Sequence, residues 1–261
     1  MKFLIIGTGF ILPAHTEAIR SVGGKIREVV NTTYGDIYWR EVLGASDADC
    51  VVILTPNDLH CEIAQAASKL GKIVLSEKPL GISSKEVGTL GDNVFMVLQL
   101  RYHPEVIKLK KELTQIKSYN EIEMDISVHR DEDYYRGWKG DKKRSGGILF
   151  NLGIHYFDLI QYLFGEPNET KTISLSDKRV EGIINGDNYR CHFILSTDEP
   201  KETQRRIFKV NGKEIVLSVK DNLSYENLHR FVYKDLISGI GNKPQEALKS
   251  IRLIEKLCKR G

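Results

Sequence analysis

Short apolar runs alternate with stretches of helical periodicity through the first hundred or so residues, the pattern of a parallel sheet with crossover helices. Phe3-Leu4-Ile5-Ile6 reads as the first strand. A glycine turn, Gly7-Thr8-Gly9, leads into a helix from Leu12 or Pro13 to Val22, with Pro13 tolerated in the first turn and Gly23-Gly24 ending it. Further strands are expected over Lys25 to Asn31, Cys50 to Leu54, Lys72 to Leu75 and Val94 to Leu100, with a helix from Leu59 to Leu70. The connections between Asn31 and Cys50 and between Gly81 and Asn93 are about twenty and about a dozen residues, close to the minimum for a crossover. Helices there are expected to be short or missing.

The pattern changes near residue 104. A helix over Pro104 to Gln115 is followed by alternating runs at Glu121 to His129, Thr170 to Ser176, Asp187 to Ser196 and Arg206 to Val210, which read as antiparallel strands. Asn211-Gly212, before Glu214 to Leu217, suits a type I′ hairpin because both turn residues need positive φ. Helices are expected over Leu152 to Phe164, Tyr225 to Ile237 and Pro244 to Lys259. The reading is an α/β chain: a doubly wound parallel sheet over 1–103, a hinge at Arg101 to Pro104, and an α+β domain over 104–261.

Composition narrows the classes without naming a function. Of 261 residues, 41% are hydrophobic and 28% charged, ordinary for a globular chain. The net charge of +3, from 38 basic and 35 acidic side chains, gives no reason to expect nucleic acid or a membrane as partner. No apolar run approaches the roughly 20 residues that span a bilayer, and Gly7 interrupts the start before a signal-peptide core is complete; a cytoplasmic location is expected. Cys50, Cys61, Cys191 and Cys258 form no CxxC pair, so no metal site is expected.

The candidate chemistry lies at strand ends. In a doubly wound sheet ligands bind outside the carboxyl ends of the strands, which is where Ser76-Glu77-Lys78-Pro79-Leu80 falls. Pro79 restricts Lys78 to extended backbone, giving its amine a defined direction. Gly7 and Gly9 would let the backbone approach a pyrophosphate on a helix N-terminus, although Leu12 occupies the third, usually small, position of that fingerprint. At the end of the second strand Asn31 stands where NAD enzymes place an acid for the ribose 2′-hydroxyl; an amide binds that hydroxyl without repelling a 2′-phosphate, so NAD is expected and NADP stays open. Arg101, Arg130, Lys139 and Lys142-Lys143-Arg144 supply cations for a diphosphate or a carboxylate, or form solvated faces. Trp138 is a packing anchor or a sugar or base platform.

Several stretches recur in the order and spacing of one family. Gly7-Thr8-Gly9-Phe10-Ile11-Leu12-Pro13-Ala14-His15, Thr55-Pro56-Asn57-Asp58-Leu59-His60, Glu77-Lys78-Pro79-Leu80 and Gly153-Ile154-His155-Tyr156-Phe157-Asp158 together resemble the glucose-fructose oxidoreductase, inositol dehydrogenase and rhizopine catabolism family (Gfo/Idh/MocA), over nearly the whole chain. Leu98 to Pro104 and Trp138 to Ile148 look like its branch that oxidises UDP-linked N-acetylamino sugars at C3. The resemblance implies a Rossmann domain and an open-sheet domain used for substrate binding and for a homo-dimer or homo-tetramer. It implies Lys78 and His155 as the proton-handling pair, with His155 as base and Lys78 polarising the hydroxyl. Phe10, Ile11, Thr55, Pro56, Asn57, His60, Glu77 and Gln99 would line the cofactor. Asn151, four residues before His155, replaces an acid that many members carry, as that branch does, and joins Arg101, Arg130, Trp138 and Lys139 as a substrate contact. The implied function is NAD-dependent oxidation of UDP-GlcNAcA or UDP-GlcNAc in surface-polysaccharide biosynthesis. A free-sugar or inositol dehydrogenase on the same fold, and a nucleotide-binding sensor without turnover, are the alternatives.

Overall fold

The expected apolar runs of the first hundred residues all become strands of one parallel sheet. In the computed structural model, which describes residues 1–115, 118–217 and 226–259, the chain divides into two units: Met1–Gln99 with Tyr225–Leu248, and Leu100–Ser224 with Lys249–Gly261.

The first unit runs β1 (Lys2–Ile6), α1 (Leu12–Ser21), β2 (Lys25–Val30), α2 (Asp36–Ala45), β3 (Cys50–Ile53), α3 (His60–Lys69), β4 (Ile73–Ser76), α4 (Ser84–Val87) and β5 (Val94–Met96). The strands lie in the order β2-β1-β3-β4-β5, every pair parallel. Phe3 to Ile6 and Cys50 to Ile53 are wholly buried, as the central strands of a sheet covered on both faces must be. Strand order reverses between β1 and β3, which opens a crevice at their carboxyl ends. The expectation for the short connections is half met: α4 is a single turn, but α2 has ten residues, as many as α1. It fits because Asn31 caps a tight turn at Thr32–Tyr34 and Gly35 (φ 92°) redirects the chain into the helix. β5 stops at Met96, whose N–H donates to the Asn242 carbonyl at 2.8 Å.

The second unit begins with a 3₁₀ turn that runs on from Gln99 to Tyr102, then α5 (Pro104–Gln115), β6 (Asn120–Ser127), α6 (Glu132–Arg136), α7 (Lys142–Ser145), α8 (Ile154–Phe164), β7 (Glu169–Leu175), β8 (Arg179–Gly186), β9 (Tyr189–Ser196), β10 (Arg205–Val210) and β11 (Lys213–Glu214). The sheet order is β11-β10-β6-β9-β8-β7. The sheet is mainly antiparallel, as expected, with β6 and β9 paired parallel. After β6 the chain crosses through α6 to α8, reaches the far edge at β7 and returns by two hairpins. β8 escapes the sequence reading because Gly182 interrupts its inward alternation of Val180 and Ile184. The Asn211-Gly212 hairpin has the expected positive φ values, 52° and 76°, although β11 is shorter than Glu214 to Leu217.

Beyond β11, α9 (His229–Ile237) packs on α1 within the first unit. Tyr225, the expected start of that helix, lies outside the described residues. α10 (Pro244–Cys258) begins in the first unit and ends in the second.

Candidate active site

In the first unit the crevice residues come from the carboxyl ends of β1, β3, β4 and β5. Gly7 has φ +114°, and a Cβ there would lie 2.4 Å from the Leu54 carbonyl carbon and 2.8 Å from the Thr55 nitrogen. Only glycine lets β1 turn this close to the β3 loop. Gly9 has room for a side chain, its Cβ position being 3.8 Å from Leu54 O. Phe10 is 77% exposed at the mouth of the turn and Ile11 is the uncapped N-cap of α1. Asn31 uses its side-chain oxygen locally, accepting the Thr33 N–H at 3.0 Å.

Thr55, Asn57 and His60 are buried on the loop after β3, with Pro56 leading the short turn Asn57–Leu59. The His60 ring lies between two carbonyls, Nδ1 2.6 Å from Pro79 O and Nε2 2.9 Å from Thr55 O. Burial holds its pKa below the ordinary value, and the two carbonyls offset part of that shift. Gln99 is 6% exposed, and its side-chain oxygen has no hydrogen-bond partner among the described residues. A dinucleotide fits these features: the Gly7 turn packs the β1 and β3 loops together at the carboxyl ends of the strands, where such ligands bind, and the Gln99 oxygen awaits a donor such as a carboxamide.

Glu77 stands directly after β4. Its Oε1 lies 3.0 Å from His15 Nε2 and 3.3 Å from His229 Nε2, and its Oε2 accepts the Lys78 N–H at 3.2 Å. Burial raises the Glu77 pKa, but hydrogen bonds and charge from the two imidazoles outweigh it and hold the carboxyl well below its ordinary value. His15 in turn is held low, by burial first. The Lys78-Pro79 bond is cis.

The second unit supplies a cavity of about 400 Å³ lined by Tyr134, Tyr135, Lys139, Asn151, Lys178 and Thr197, among others. It sits at the end of the sheet where α6, α7 and the strand ends meet. Tyr135 Oη donates to Thr197 Oγ1 at 2.5 Å, Thr197 Oγ1 donates to Lys178 O at 3.1 Å, and Lys178 Nζ lies 5.0 Å from the Tyr135 ring centre. Gly140 is obligatory in the loop bearing Lys139, since a Cβ would fall 2.0 Å from Tyr135 O. Lys139 Nζ lies 5.0 Å from the Tyr134 ring and 5.8 Å from the Trp138 ring; burial, then the charge of Arg130, lowers its pKa. Of the expected substrate contacts, Lys139 and Asn151 line the cavity. Arg130, 5.2 Å over the Tyr134 ring, and Trp138 support that wall without lining it. Tyr134, Tyr135, Lys178 and Thr197 escaped the sequence reading; the one available signal was the Tyr134-Tyr135 pair beside a cation-rich stretch.

Arg101 is placed elsewhere. Its guanidinium forks onto Asp158, with bonds of 2.9 and 2.6 Å, and stacks 4.7 Å over the Tyr162 ring. Both partners are nearly buried, at 11% and 3% side-chain exposure. Two motifs quoted separately from the sequence therefore meet as one ion pair, which anchors α8 three residues beyond His155. A π-helical turn at Leu149–Gly153 precedes α8 and carries Asn151, the kind of irregular turn often found at functional sites.

Two models of one oxidoreductase family match the chain, the NAD-binding Rossmann fold over residues 25–93 and the C-terminal alpha/beta domain over residues 110–204. The chain belongs to the Gfo/Idh/MocA family. It is similar to the WlbA (WbpB) dehydrogenase from Thermus thermophilus, solved in complex with NAD and UDP-GlcNAcA, at 28% identity and a TM-score of 0.87, covering 100% of this chain and 95% of that one. The same enzyme solved with NAD and alpha-ketoglutarate gives 28% identity and a TM-score of 0.86, over 98% and 94% of the two chains. Inositol 2-dehydrogenase from Rhizobium meliloti is 29% identical over 213 residues, 76% of this chain and 59% of that relative. The chain thus spans little more than half of that relative's length. Among the described residues no helix is long and apolar enough to cross a membrane.

Proposed function

We propose that this chain is an NAD-dependent dehydrogenase that oxidises the C3 hydroxyl of a UDP-linked N-acetylamino sugar, UDP-GlcNAcA or UDP-GlcNAc. The observation that carries the reading is the second-unit cavity. Its tyrosines offer flat surfaces for a base or sugar, its lysines offer cations for a diphosphate or uronate, and Asn151 in its wall stands four residues before His155 in one continuous helical stretch. An inositol needs no such cation set. The similarity to an enzyme solved with UDP-GlcNAcA supports the same class.

When bound, the nicotinamide supplies the hydride acceptor. The residues do the rest. Gly7 and the loops bearing Thr55, Asn57 and His60 receive the dinucleotide, and Gln99 orients it. Loss of hydride from a carbinol carbon also releases the hydroxyl proton, and His155 accepts it as general base. Lys78 holds and polarises the hydroxyl oxygen, where negative charge develops. A phosphate or carboxylate beside Lys139 would offset the burial and the Arg130 charge that lower its pKa. The first unit acts as the dinucleotide half, and the second as the substrate and oligomer half, in a cytoplasmic homo-dimer or homo-tetramer serving surface-polysaccharide synthesis. 2-Oxoglutarate is the candidate for reoxidising the cofactor.

Adding UDP-GlcNAcA, UDP-GlcNAc, free sugars and inositols separately to the purified protein with NAD, with and without 2-oxoglutarate, tests this. Reduced nicotinamide should appear with a UDP-sugar. Reduction by free sugars or inositol alone selects the reading favoured by the inositol 2-dehydrogenase similarity, and binding without reduction selects the sensor. Lys78→Met should abolish turnover with NAD affinity nearly intact; normal turnover in that variant removes Lys78 from the mechanism.

A further inference from the structure

Four consecutive residues around Lys78 are fastened through hydrogen bonds. Glu77 N–H donates to Ile53 O at 2.9 Å, Lys78 N–H to Glu77 Oε2 at 3.2 Å, Pro79 O lies 2.6 Å from His60 Nδ1, and the Cys61 thiol donates to Leu80 O at 3.3 Å. The second of these depends on where the Glu77 carboxylate is held. Its other oxygen meets His15 and His229, and His15 Nδ1 lies 2.7 Å from the Tyr233 hydroxyl. Both imidazoles are 0% exposed and Glu77 12%.

The three ligand atoms lie within 4.8 Å of one another, a spacing that could hold a metal. Hydrogen bonding accounts for these contacts without one. A neutral imidazole has one N–H. If His15 gives its Nε2–H to Glu77, its Nδ1 accepts from Tyr233, and His229 gives its own Nε2–H to the same carboxylate oxygen. The cluster then carries a single negative charge, on the residue adjoining Lys78. A buried carboxylate costs several kcal/mol unless paired and bonded, and packing alone is served as well by an aliphatic side chain. The residues come from three places: α1, the end of β4, and α9, with Glu77 and His229 separated by 152 positions.

We propose that His15, Glu77, His229 and Tyr233 form a positioning network that fixes the backbone from which Lys78 projects, completed by the return of the chain at α9. This rests on the reading of Lys78 as the group that polarises the substrate hydroxyl. None of the four needs to touch substrate. The network acts through the Glu77 carboxylate, whose Oε2 accepts the Lys78 N–H while Oε1 is held by the two imidazoles.

The test uses the full chain and sets turnover beside NAD affinity measured by calorimetric titration. Glu77→Gln keeps the shape and removes the charge that the two imidazoles hold in place. With UDP-GlcNAcA, kcat should fall about tenfold or more while the NAD Kd stays within about threefold. His229→Leu should lower kcat in the same way, and His229→Gln, which keeps a donor, should restore most of it. An unchanged kcat in Glu77→Gln, NAD affinity falling in step with kcat, or equal activity of the Leu and Gln variants at 229 overturns the network. If Glu77→Gln does not fold, the His229 pair decides alone. Normal turnover in Lys78→Met instead overturns the role of Lys78, whereas an inactive Lys78→Met beside equal activity of the Leu and Gln variants at 229 overturns the network and leaves that role standing.

Discussion

The two units handle buried polarity in opposite ways. In the first, the polar groups at the strand ends bond to one another: Glu77 to His15 and His229, His60 to the carbonyls of Thr55 and Pro79. In the second, cations and tyrosines face an open cavity, and a deeply buried charge pair joins Arg101, on the turn before α5, to Asp158 on α8. On the proposed function the first unit is the dinucleotide half, with these polar groups already satisfied, and the second leaves its charges accessible to substrate.

The buried ion pair gives the sharpest test of that contrast. Arg101→Ala strands Asp158 at 3% exposure, and removing one partner of a buried pair costs about 3–5 kcal/mol. Urea unfolding should show this loss, with part of it recovered in Arg101→Ala/Asp158→Asn. If Arg101 were chiefly a substrate cation, Arg101→Ala would leave stability unchanged and raise KM alone.

Gly7→Ala probes the first unit in the same terms. Its Cβ meets the Leu54 backbone at 2.4 Å in a conformation that L residues rarely adopt, so about 1–3 kcal/mol of strain is expected. The shift needed to relieve it would fall on the Leu54-Thr55 loop, so NAD affinity should drop, read by calorimetric titration. Unchanged affinity would mean the cofactor does not use this turn.

Acid probes the buried rings of the first unit. His15 and His60 have folded pKa values below the 6.5 of an unperturbed ring, chiefly from burial, against Glu77, His229 and Tyr233 around the first and Glu77 and Asp58 near the second. Above pH 6.5 the rings are neutral in folded and unfolded chains alike and contribute no pH dependence. As pH falls below 6.5 the unfolded chain takes up protons that the folded chain resists, so stability declines. Glu77 adds to this below 4.5, since a depressed carboxyl stabilises above its unfolded pKa and loses that contribution as pH falls through its folded value. Thermal melts of the first unit's signals should therefore weaken with acid from pH 6.5 downward, and His15→Gln should flatten the slope. A slope unchanged in that variant removes His15 from the acid response.

The same division explains what the sequence could reveal. The parallel sheet was readable because strands buried on both faces are continuous apolar runs, and the glycine turn because Gly7 has no steric substitute. The second sheet was harder: β8 hides behind Gly182, and the parallel β6–β9 pair depends on a chain path through three helices that no local pattern encodes. Among the site residues, Lys78, Glu77 and His60 sit in contiguous motifs. The partners of Glu77 on α9, and the cavity wall of Tyr135, Thr197 and Lys178, are joined only by the fold. The ion pair of Arg101 was hidden for the same reason, because its partner Asp158 is far away in sequence and adjacent in space.

The smallest expected effect separates the cavity's wall from its chemistry. Tyr135→Phe keeps the ring under Lys178 and removes one hydroxyl, which donates to Thr197 at 2.5 Å. A single such bond contributes about 0.5–1.5 kcal/mol net. Thr197 Oγ1 keeps its own acceptor in Lys178 O at 3.1 Å, so no buried donor is stranded. Stability should fall within that range and KM for the UDP-sugar should rise no more than about threefold, while Lys139→Met, which removes a cation from the same cavity, should raise KM about tenfold at nearly constant kcat. If Tyr135→Phe cost more in KM than Lys139→Met, the cavity would be recognising its ligand by hydroxyl hydrogen bonding, as a free polyol requires, and the diphosphate reading would give way to the inositol one.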